Sequence, residues 1–454
     1  MSNSVYLASD YLMLLRHVEN TYANQLFYQN ARGRYTFADY LKRVKMAVTG
    51  LADYQTPVLI CKFTDAETFI IGYMAAILSG HIACLCPPCH ALPPDLSSAP
   101  VLTDSLLDHW LSLNETPWEQ MHPLPPDDVC TIAFSSGTSS ASKGIMLSQH
   151  NMLIDTEFSM KLYRYWPGQR LVHILPFWHV FGLATDFLAP LHAGSSLYFT
   201  SSHFEFFRAL RIFQPHSINM PPAVAEALCA AIGSAGNASQ ITGGELIKVI
   251  VSGAPLKKET AQLLASYGIA PCVGYGLTEC SPCISLTGED GVRIGTSGRP
   301  LECISLSFAE DGEILVKGPI VMKGYWRCEN TPYAPDGFFH TGDLGMLDEA
   351  GHLVILGRKG NMLVFDNGTK CIPETVEELI NRLDGVCESL LTATGEGTSM
   401  LPKLIIVTQT QHKLDRGAID CIMSQSGLFP YHFELRAEPL PRNALGKVVR
   451  KNDI

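Results

Sequence analysis

Cys130-Thr131-Ile132-Ala133-Phe134 runs straight into Ser135-Ser136-Gly137-Thr138-Ser139-Ser140-Ala141-Ser142-Lys143-Gly144. A short apolar run bounded by turn-forming residues reads as a buried strand. Comparable runs follow at Arg170–Leu175, Ser196–Phe199, Ser217–Met220, Ile247–Val251 and Ala270–Val273. Between them lie amphipathic stretches; Phe206, Leu210 and Phe213 recur at i, i+4 and i+7, one face of a helix. That aromatic stripe reads as core rather than as a cofactor box. Strands alternating with helices from Val129 to Thr278 predict an α/β sheet with helical crossovers.

After Leu301 the texture shifts to short strands and turns. Ile314–Val316 stops at Gly318-Pro319, and Leu344–Leu347 and Leu353–Leu356 flank the turn Asp348-Glu349-Ala350-Gly351, predicting a hairpin. Gly357-Arg358-Lys359-Gly360 then interrupts the pattern. Beyond it, Val376, Leu379, Ile380 and Leu383 mark a helical face, and Leu404–Val407 and Phe433–Leu435 read as strands. A boundary there divides 1–357 from 358–454, the latter of ~95 residues, an ordinary size for a small domain. No internal repeat or low-complexity segment is present.

The 454 residues are too many for one compact core. With 46% hydrophobic and 17% charged residues the chain reads as globular, and a net charge of −11 disfavours non-specific nucleic-acid binding. No basic start and long apolar core precede a cleavage site, so a cytoplasmic location is expected. Phe69–Leu78, the longest apolar run, is too short to span a bilayer and reads as a buried helix. The 14 cysteines read as reduced thiols. Cys86-Pro87-Pro88-Cys89-His90 fits the spacing of covalent haem attachment, but no export route accompanies it and no further metal ligand follows closely. A Pro-rich loop after the apolar helix and strand is the expected reading.

Five segments carry chemistry. In Ser135–Gly144, glycine allows tight turns, amides and hydroxyls of Ser136, Gly137, Thr138 and Ser139 suit phosphate oxygens, and Lys143 adds positive charge. It is not a Walker A loop, and for this stretch by itself a Ser-rich surface loop is the plain alternative. Gly274-Tyr275-Gly276 presents a ring that a purine can approach, and Thr278 and Glu279 supply a hydroxyl and a hard oxygen ligand for Mg²⁺; a strand-ending turn with an incidental acid is the plain alternative. Asp343 in His340-Thr341-Gly342-Asp343, with Arg358, suits ribose hydroxyls, though each alone reads as a surface charge. Lys447, in Pro441-Arg442-Asn443-Ala444-Leu445-Gly446-Lys447, suits an anionic reaction centre or a solvated tail.

The order of these segments, with Pro176-Phe177-Trp178-His179-Val180-Phe181-Gly182 between the first two, resembles the adenylate-forming superfamily of acyl-CoA synthetases, peptide-synthetase adenylation domains and beetle luciferase. The resemblance covers Val129 to Lys447, and Gly357–Asn361 through Pro373-Glu374 looks closest to bacterial long-chain acyl-CoA synthetases. It implies a large N-terminal α/β domain of layered sheets and helices and a smaller, mobile α+β lid. It implies that Ser136–Lys143 holds the β- and γ-phosphates and that Tyr275, with Ser252-Gly253-Ala254, holds adenine. Thr278 would meet the α-phosphate, Glu279 the Mg²⁺, Asp343 and Arg358 the ribose. Lys447 would bridge carboxylate and nucleotide. The implied substrates are ATP, a carboxylic acid and a thiol, coenzyme A or the phosphopantetheine of an acyl carrier protein; an amine acceptor is a further option.

Departures from the family pattern are Ser140 in place of glycine, Ser142 in place of proline, and Gly360 in place of the usual hinge Asp or Lys. The chain is also shorter than most members, which implies a trimmed N-terminal region. A degenerate, non-catalytic adenylate binder is the competing reading; retention of Glu279, Asp343, Arg358 and Lys447 argues against it. Near Val180-Phe181 no aspartate is available for a substrate ammonium, and His179, Trp178 and Phe181 suggest an aromatic-walled pocket for an apolar acyl or aryl acid, a core histidine being the alternative for His179.

Overall fold

A computed structural model describes residues 8–88, 94–134, 143–288, 293–328, 333–365, 369–394, 401–408, 414–442 and 448–450. The chain divides into two compact units, the second comprising Leu306–Leu315 and His340–Ile454. The expected boundary at Gly357–Gly360 falls inside that second unit.

In the first unit a nine-stranded sheet runs Arg299–Pro300, Cys283–Leu286, Ala270–Gly276, Lys248–Val251, Ser217–Met220, Arg170–His173, Ser196–Phe199, Leu26–Asn30, Gly33–Thr36. Its centre is parallel from Ala270–Gly276 to Leu26–Asn30, and its outermost pairs are antiparallel. The parallel strands are covered on both faces, so Ser196–Phe199 and Ser217–Met220 are buried throughout. Each expected strand is present; Arg170–His173 ends two residues early, before a turn in which His179 N bonds Pro176 O at 3.1 Å. Phe206, Leu210 and Phe213 are buried in the core, on helix His203–Phe213.

A six-stranded sheet orders Gly324–Tyr325, Gly144–Ser148, Val129–Phe134, Ile82–Leu85, Val58–Cys61, Val101–Leu102. Asp65 caps helix Ala66–Leu78 by accepting from Glu67 N and Thr68 N, and every residue from Glu67 to Leu78 is buried. A helix apolar all round must be covered all round, which accounts for the run Phe69–Leu78. Among the described residues no helix is long and apolar enough to cross a membrane. Cys84 and Cys86 lie in the core with Val58, Ile60 and Ile132. Burial pushes the Cys84 thiol up to about 12. Cys89 and His90 lie outside the described residues.

In the second unit, Phe339–Leu347 and Leu353–Arg358 form the expected hairpin, Asp343 opposite Arg358. A three-stranded sheet of Val386–Thr394, Leu401–Thr408 and His432–Arg436 packs with helices Pro373–Ile380 and Arg416–Gln425 around Val376, Ile380, Leu391, Leu404, Ile406 and Ile419. Leu379, expected on the apolar face of the first helix, is instead exposed at 43%. Val376 and Ile380 reach the core from the helix, and Leu383, beyond its end at Ile380, packs against that core partly buried.

Candidate nucleotide and acid site

Parallel strands Lys248–Val251 and Ala270–Gly276 lie in register, Val251 beside Val273. Their C-terminal ends therefore bring Ser252-Gly253-Ala254 beside Gly274-Tyr275-Gly276, at the edge where α/β sheets bind ligands. Gly253 has φ +88°, and a Cβ there would meet no atom within 4 Å, so this turn opens outward. At Gly276 the reverse holds: a Cβ would lie 1.7 Å from Pro282 O, and only glycine lets the two backbones approach.

The chain then forms the single turn Thr278–Cys280, closed by Cys280 N to Leu277 O at 2.9 Å. Ser281 follows at φ +66°, held by its own Oγ bonding Ile320 O at 2.7 Å. A non-glycine residue in this region costs about 1–3 kcal/mol, and such strain concentrates at functional sites. Met322 N donates to Glu279 O at 2.8 Å, and Lys323 N to Met146 O at 2.8 Å. The short strand Gly324–Tyr325 thereby adds to Gly144–Ser148, Tyr325 opposite Ile145. Tyr325 OH donates to Glu279 Oε1 at 3.1 Å, and Lys143 Nζ sits 4.6 Å from the centre of the Tyr325 ring. Burial, reinforced by the Glu279 carboxylate, raises the Tyr325 phenol above its usual range, so it stays a proton donor.

Lys143 and Glu279, remote in sequence, thus meet at one tyrosine. Tyr325 escaped sequence reading because a two-residue strand has no periodicity. Phe134 pairs with Gly144, so both ends of the serine-rich segment are anchored beside this cluster. Ser136, Gly137, Thr138, Ser139 and Lys447 lie outside the described residues. One carboxylate and one lysine on the same tyrosine suit Mg²⁺ carried on nucleotide phosphates, since that ion keeps several waters and takes one or two protein carboxylates.

His179 opens the turn Val180–Leu183, its carbonyl accepting from Leu183 N at 2.9 Å. That turn runs into a π-helical turn, Ala184–Leu188, which carries the buried Asp186. Asp186 Oδ2 lies 3.1 Å from His173 Nδ1, and Asn219 Nδ2 donates to Asp186 Oδ1. His173 stacks on Phe177 with ring centres 4.0 Å apart. This network was not anticipated; the π turn shifts the helical phase and turns Asp186 inward.

In the second unit Arg358 Nε meets Asp343 Oδ1 at 2.8 Å, and Arg358 Nη1 donates to Thr341 O at 3.3 Å. Glu313, also unanticipated, gathers the turn: its carboxylate accepts from Gly342 N at 2.9 Å and Lys359 Nζ at 2.7 Å, and lies 3.1 Å from His340 Nδ1. Burial opposes its ionisation, but Lys359, His340 and the Gly342 amide together hold it below the usual carboxylate range.

The profile of the AMP-binding enzyme family matches residues 60–326. The long-chain-fatty-acid–CoA ligase FadD15 of Mycobacterium bovis is 28% identical over 365 residues, covering 69% of this chain and 60% of the relative. A long-chain-fatty-acid–CoA ligase of Bacillus subtilis is 28% identical over 354 residues, covering 72% of this chain and 61% of the relative. The chain thus spans about three fifths of the length of these curated relatives. ATP-bound MatB from Rhodopseudomonas palustris superposes with a TM-score of 0.85 over 96% of both chains at 24% identity, which shows a shared fold. With the family profile covering more than half of it, the chain belongs to the AMP-binding enzymes, the adenylate-forming superfamily that its motifs resemble.

Proposed function

We propose that this protein activates a carboxylic acid with ATP, forming an acyl-adenylate and releasing pyrophosphate, and then transfers the acyl group to a thiol, coenzyme A in the first instance. The observation that carries the reading is the convergence of Lys143 and Glu279 on Tyr325, with Glu279 shortly after the strand end Gly274-Tyr275-Gly276. Lys143 and the Ser136–Ser139 hydroxyls and amides would hold the β- and γ-phosphates, Tyr275 and Ser252–Ala254 the adenine, Asp343 and Arg358 the ribose. Thr278 would donate to the α-phosphate. Mg²⁺, held by Glu279, would supply charge neutralisation on the phosphates. Lys447 would offset the charge that builds as the carboxylate attacks phosphorus.

An apolar acyl or aryl acid fits best. Asp186, the buried carboxylate on the turn that follows His179, is already engaged by His173 and Asn219, which disfavours an α-amino acid. The relatives' names, long-chain-fatty-acid–CoA ligases, favour coenzyme A as acceptor. Acid-dependent pyrophosphate release across a panel of fatty, aryl and amino acids tests the reading, followed by trials with coenzyme A, a carrier protein and an amine. No release with any acid would sink it in favour of a non-catalytic adenylate binder, and release without acid dependence would sink acid activation. Transfer only to a carrier protein would move the acceptor and keep the chemistry.

A further inference from the structure

The turn that carries Trp178 and His179 is held at both ends by buried groups. At its front Phe177 is buried, and its ring lies flat on the His173 imidazole, 4.0 Å between centres and 9° from parallel. At its rear Phe181 O accepts from Thr185 Oγ1 at 2.8 Å, and Thr185 O in turn accepts from Asn219 Nδ2 at 3.1 Å. Asp186 joins the two ends. Its Oδ2 lies 3.1 Å from His173 Nδ1, and its Oδ1 accepts from the same Asn219 Nδ2 that holds Thr185. Between the anchors, Trp178, His179 and Phe181 stay only partly buried.

The three polar partners come from separate elements: strand Arg170–His173, the π turn Ala184–Leu188 and strand Ser217–Met220. His173, Asp186 and Asn219 are all buried. Apolar residues of similar volume would fill the same space without the desolvation cost of an acid. What a hydrogen-bonded network adds is direction, since each bond fixes an angle as well as a distance. Here the direction is passed to a turn of three aromatic side chains, and π turns recur at functional sites. Asp186 sits four residues or more from each of those side chains in sequence, and reaches them through His173 on one side and Thr185 and Asn219 on the other.

We infer that Asp186 is a positioning residue for the carboxylic-acid substrate: by holding His173 and Asn219 at once, it sets the Trp178–Phe181 turn against which the apolar part of the acid lies. The inference rests on the acid-activating reading above. It differs from a plain folding role in what it predicts. Affinity for the acid and discrimination among acids depend on Asp186, and affinity for ATP does not, because the groups given to adenine and phosphate stand on other elements.

The test uses the full chain with Asp186→Ala, Asp186→Asn and Thr185→Val. Pyrophosphate release is followed over an acid titration at saturating ATP and an ATP titration at saturating acid, for the best acid and a close analogue of it, beside thermal unfolding. Asp186→Ala is expected to raise KM for the best acid roughly 10-fold, the low end of what the fit of a hydrophobic pocket discriminates. It is also expected to narrow the preference between the two acids and to leave KM for ATP unaltered. Asp186→Asn keeps the shape and one acceptor oxygen, so a smaller rise is expected. Thr185→Val cuts only the bond to Phe181 O; it is expected to raise KM for the acid too, and keeps the test open should the Asp186 variants fold poorly. A network that serves folding alone predicts a smaller folded fraction, hence a lower rate at saturation and a lower unfolding temperature with both KM values and the acid preference unmoved. That result, or an equal rise in KM for ATP, would overturn the inference. If the unaltered chain releases pyrophosphate with its best acid, such a failure removes only the role of Asp186. If it releases none with any acid, the proposed function falls and this inference with it.

Discussion

Tyr325 donates its hydroxyl to Glu279 Oε1 across 3.1 Å, from a two-residue strand laid against Gly144–Ser148. Glu279 is thus oriented by a donor that burial keeps protonated, and Lys143 lies over the ring of that same donor. Glu279→Gln preserves the shape and the bond from Tyr325 but removes the charge a metal requires. Activity is expected to fall roughly 10–100-fold, the scale of a ~1.5–3 kcal/mol charged contact, and to recover in part at raised Mg²⁺. Tyr325→Phe removes only the orienting bond, so a smaller loss with unchanged Mg²⁺ dependence is expected. Initial rates over a Mg²⁺ titration check both; a Glu279→Gln curve parallel to the unaltered one would count against metal binding there.

Lys447→Ala addresses charge that develops during attack on phosphorus. Loss of one such contact costs ~2.7–4 kcal/mol, a factor of roughly 10²–10³ in rate. ATP binding, measured by calorimetry, is expected to persist. Near-unaltered pyrophosphate release would remove Lys447 from the reaction.

Gly276 was legible in the sequence as part of a candidate turn, but the reason for its glycine was not. The parallel strands were readable because both faces are covered, which leaves uninterrupted apolar runs such as Ser196–Phe199. Their distribution over two sheets was not readable, because periodicity fixes which face is buried and says nothing of which strand lies alongside. Tyr325 meets Glu279 only through a pairing with Ile145, about 180 residues earlier in the chain, a distance no local pattern encodes. Asp186 and Glu313 were missed for a related reason: each is an acid whose partners come from other elements.

The close approach of Pro282 O, 1.7 Å from a Cβ at Gly276, makes a definite prediction. Gly276→Ala must displace backbone and is expected to destabilise by ~1–3 kcal/mol or more. Gly253→Ala faces open space and only its φ of +88°, a strain of ~1–2 kcal/mol. Urea unfolding of the two variants is expected to rank Gly276→Ala as the less stable; the opposite order would contradict the close approach.

Asp155 sits buried on helix Gln149–Tyr163, accepting from Cys283 N at 2.9 Å. Burial raises its carboxyl well above the ordinary 3.8, against the smaller opposing pull of that amide. The folded state therefore holds a proton that the unfolded state releases above pH 3.8, and stability falls as pH rises from there until the folded-state pKa is passed. Asp155→Asn keeps the acceptor and cannot ionise. Its stability relative to the unaltered chain is expected to climb steadily with pH across that window, by up to ~1.4 kcal/mol per pH unit. Guanidinium unfolding at a series of pH values checks the slope, which is independent of any fixed cost of the extra amide hydrogens. A flat difference would mean Asp155 is ionised in the folded protein.

Gly360 stands in the turn Lys359–Asn361, where a Cβ would meet no atom within 4 Å. Nothing in the packing requires glycine there, so Gly360→Ala is expected to leave stability near that of the unaltered chain. Proline differs in holding φ near about −65°, where glycine reaches both signs. If the segment pivots between adenylation and thiol transfer, Gly360→Pro stalls whichever arrangement it cannot adopt. A chain locked for adenylation releases pyrophosphate in a single turnover and loses thioester formation; a chain locked for transfer shows the reverse. Both outcomes leave the half-reactions unequal, with Gly360→Ala as the control that retains both. A glycine that merely ends a strand predicts something else, a parallel decline in the two half-reactions and a lower unfolding temperature. Single-turnover measurement of each half-reaction beside thermal unfolding separates the cases, and equal losses with reduced stability would end the pivot reading.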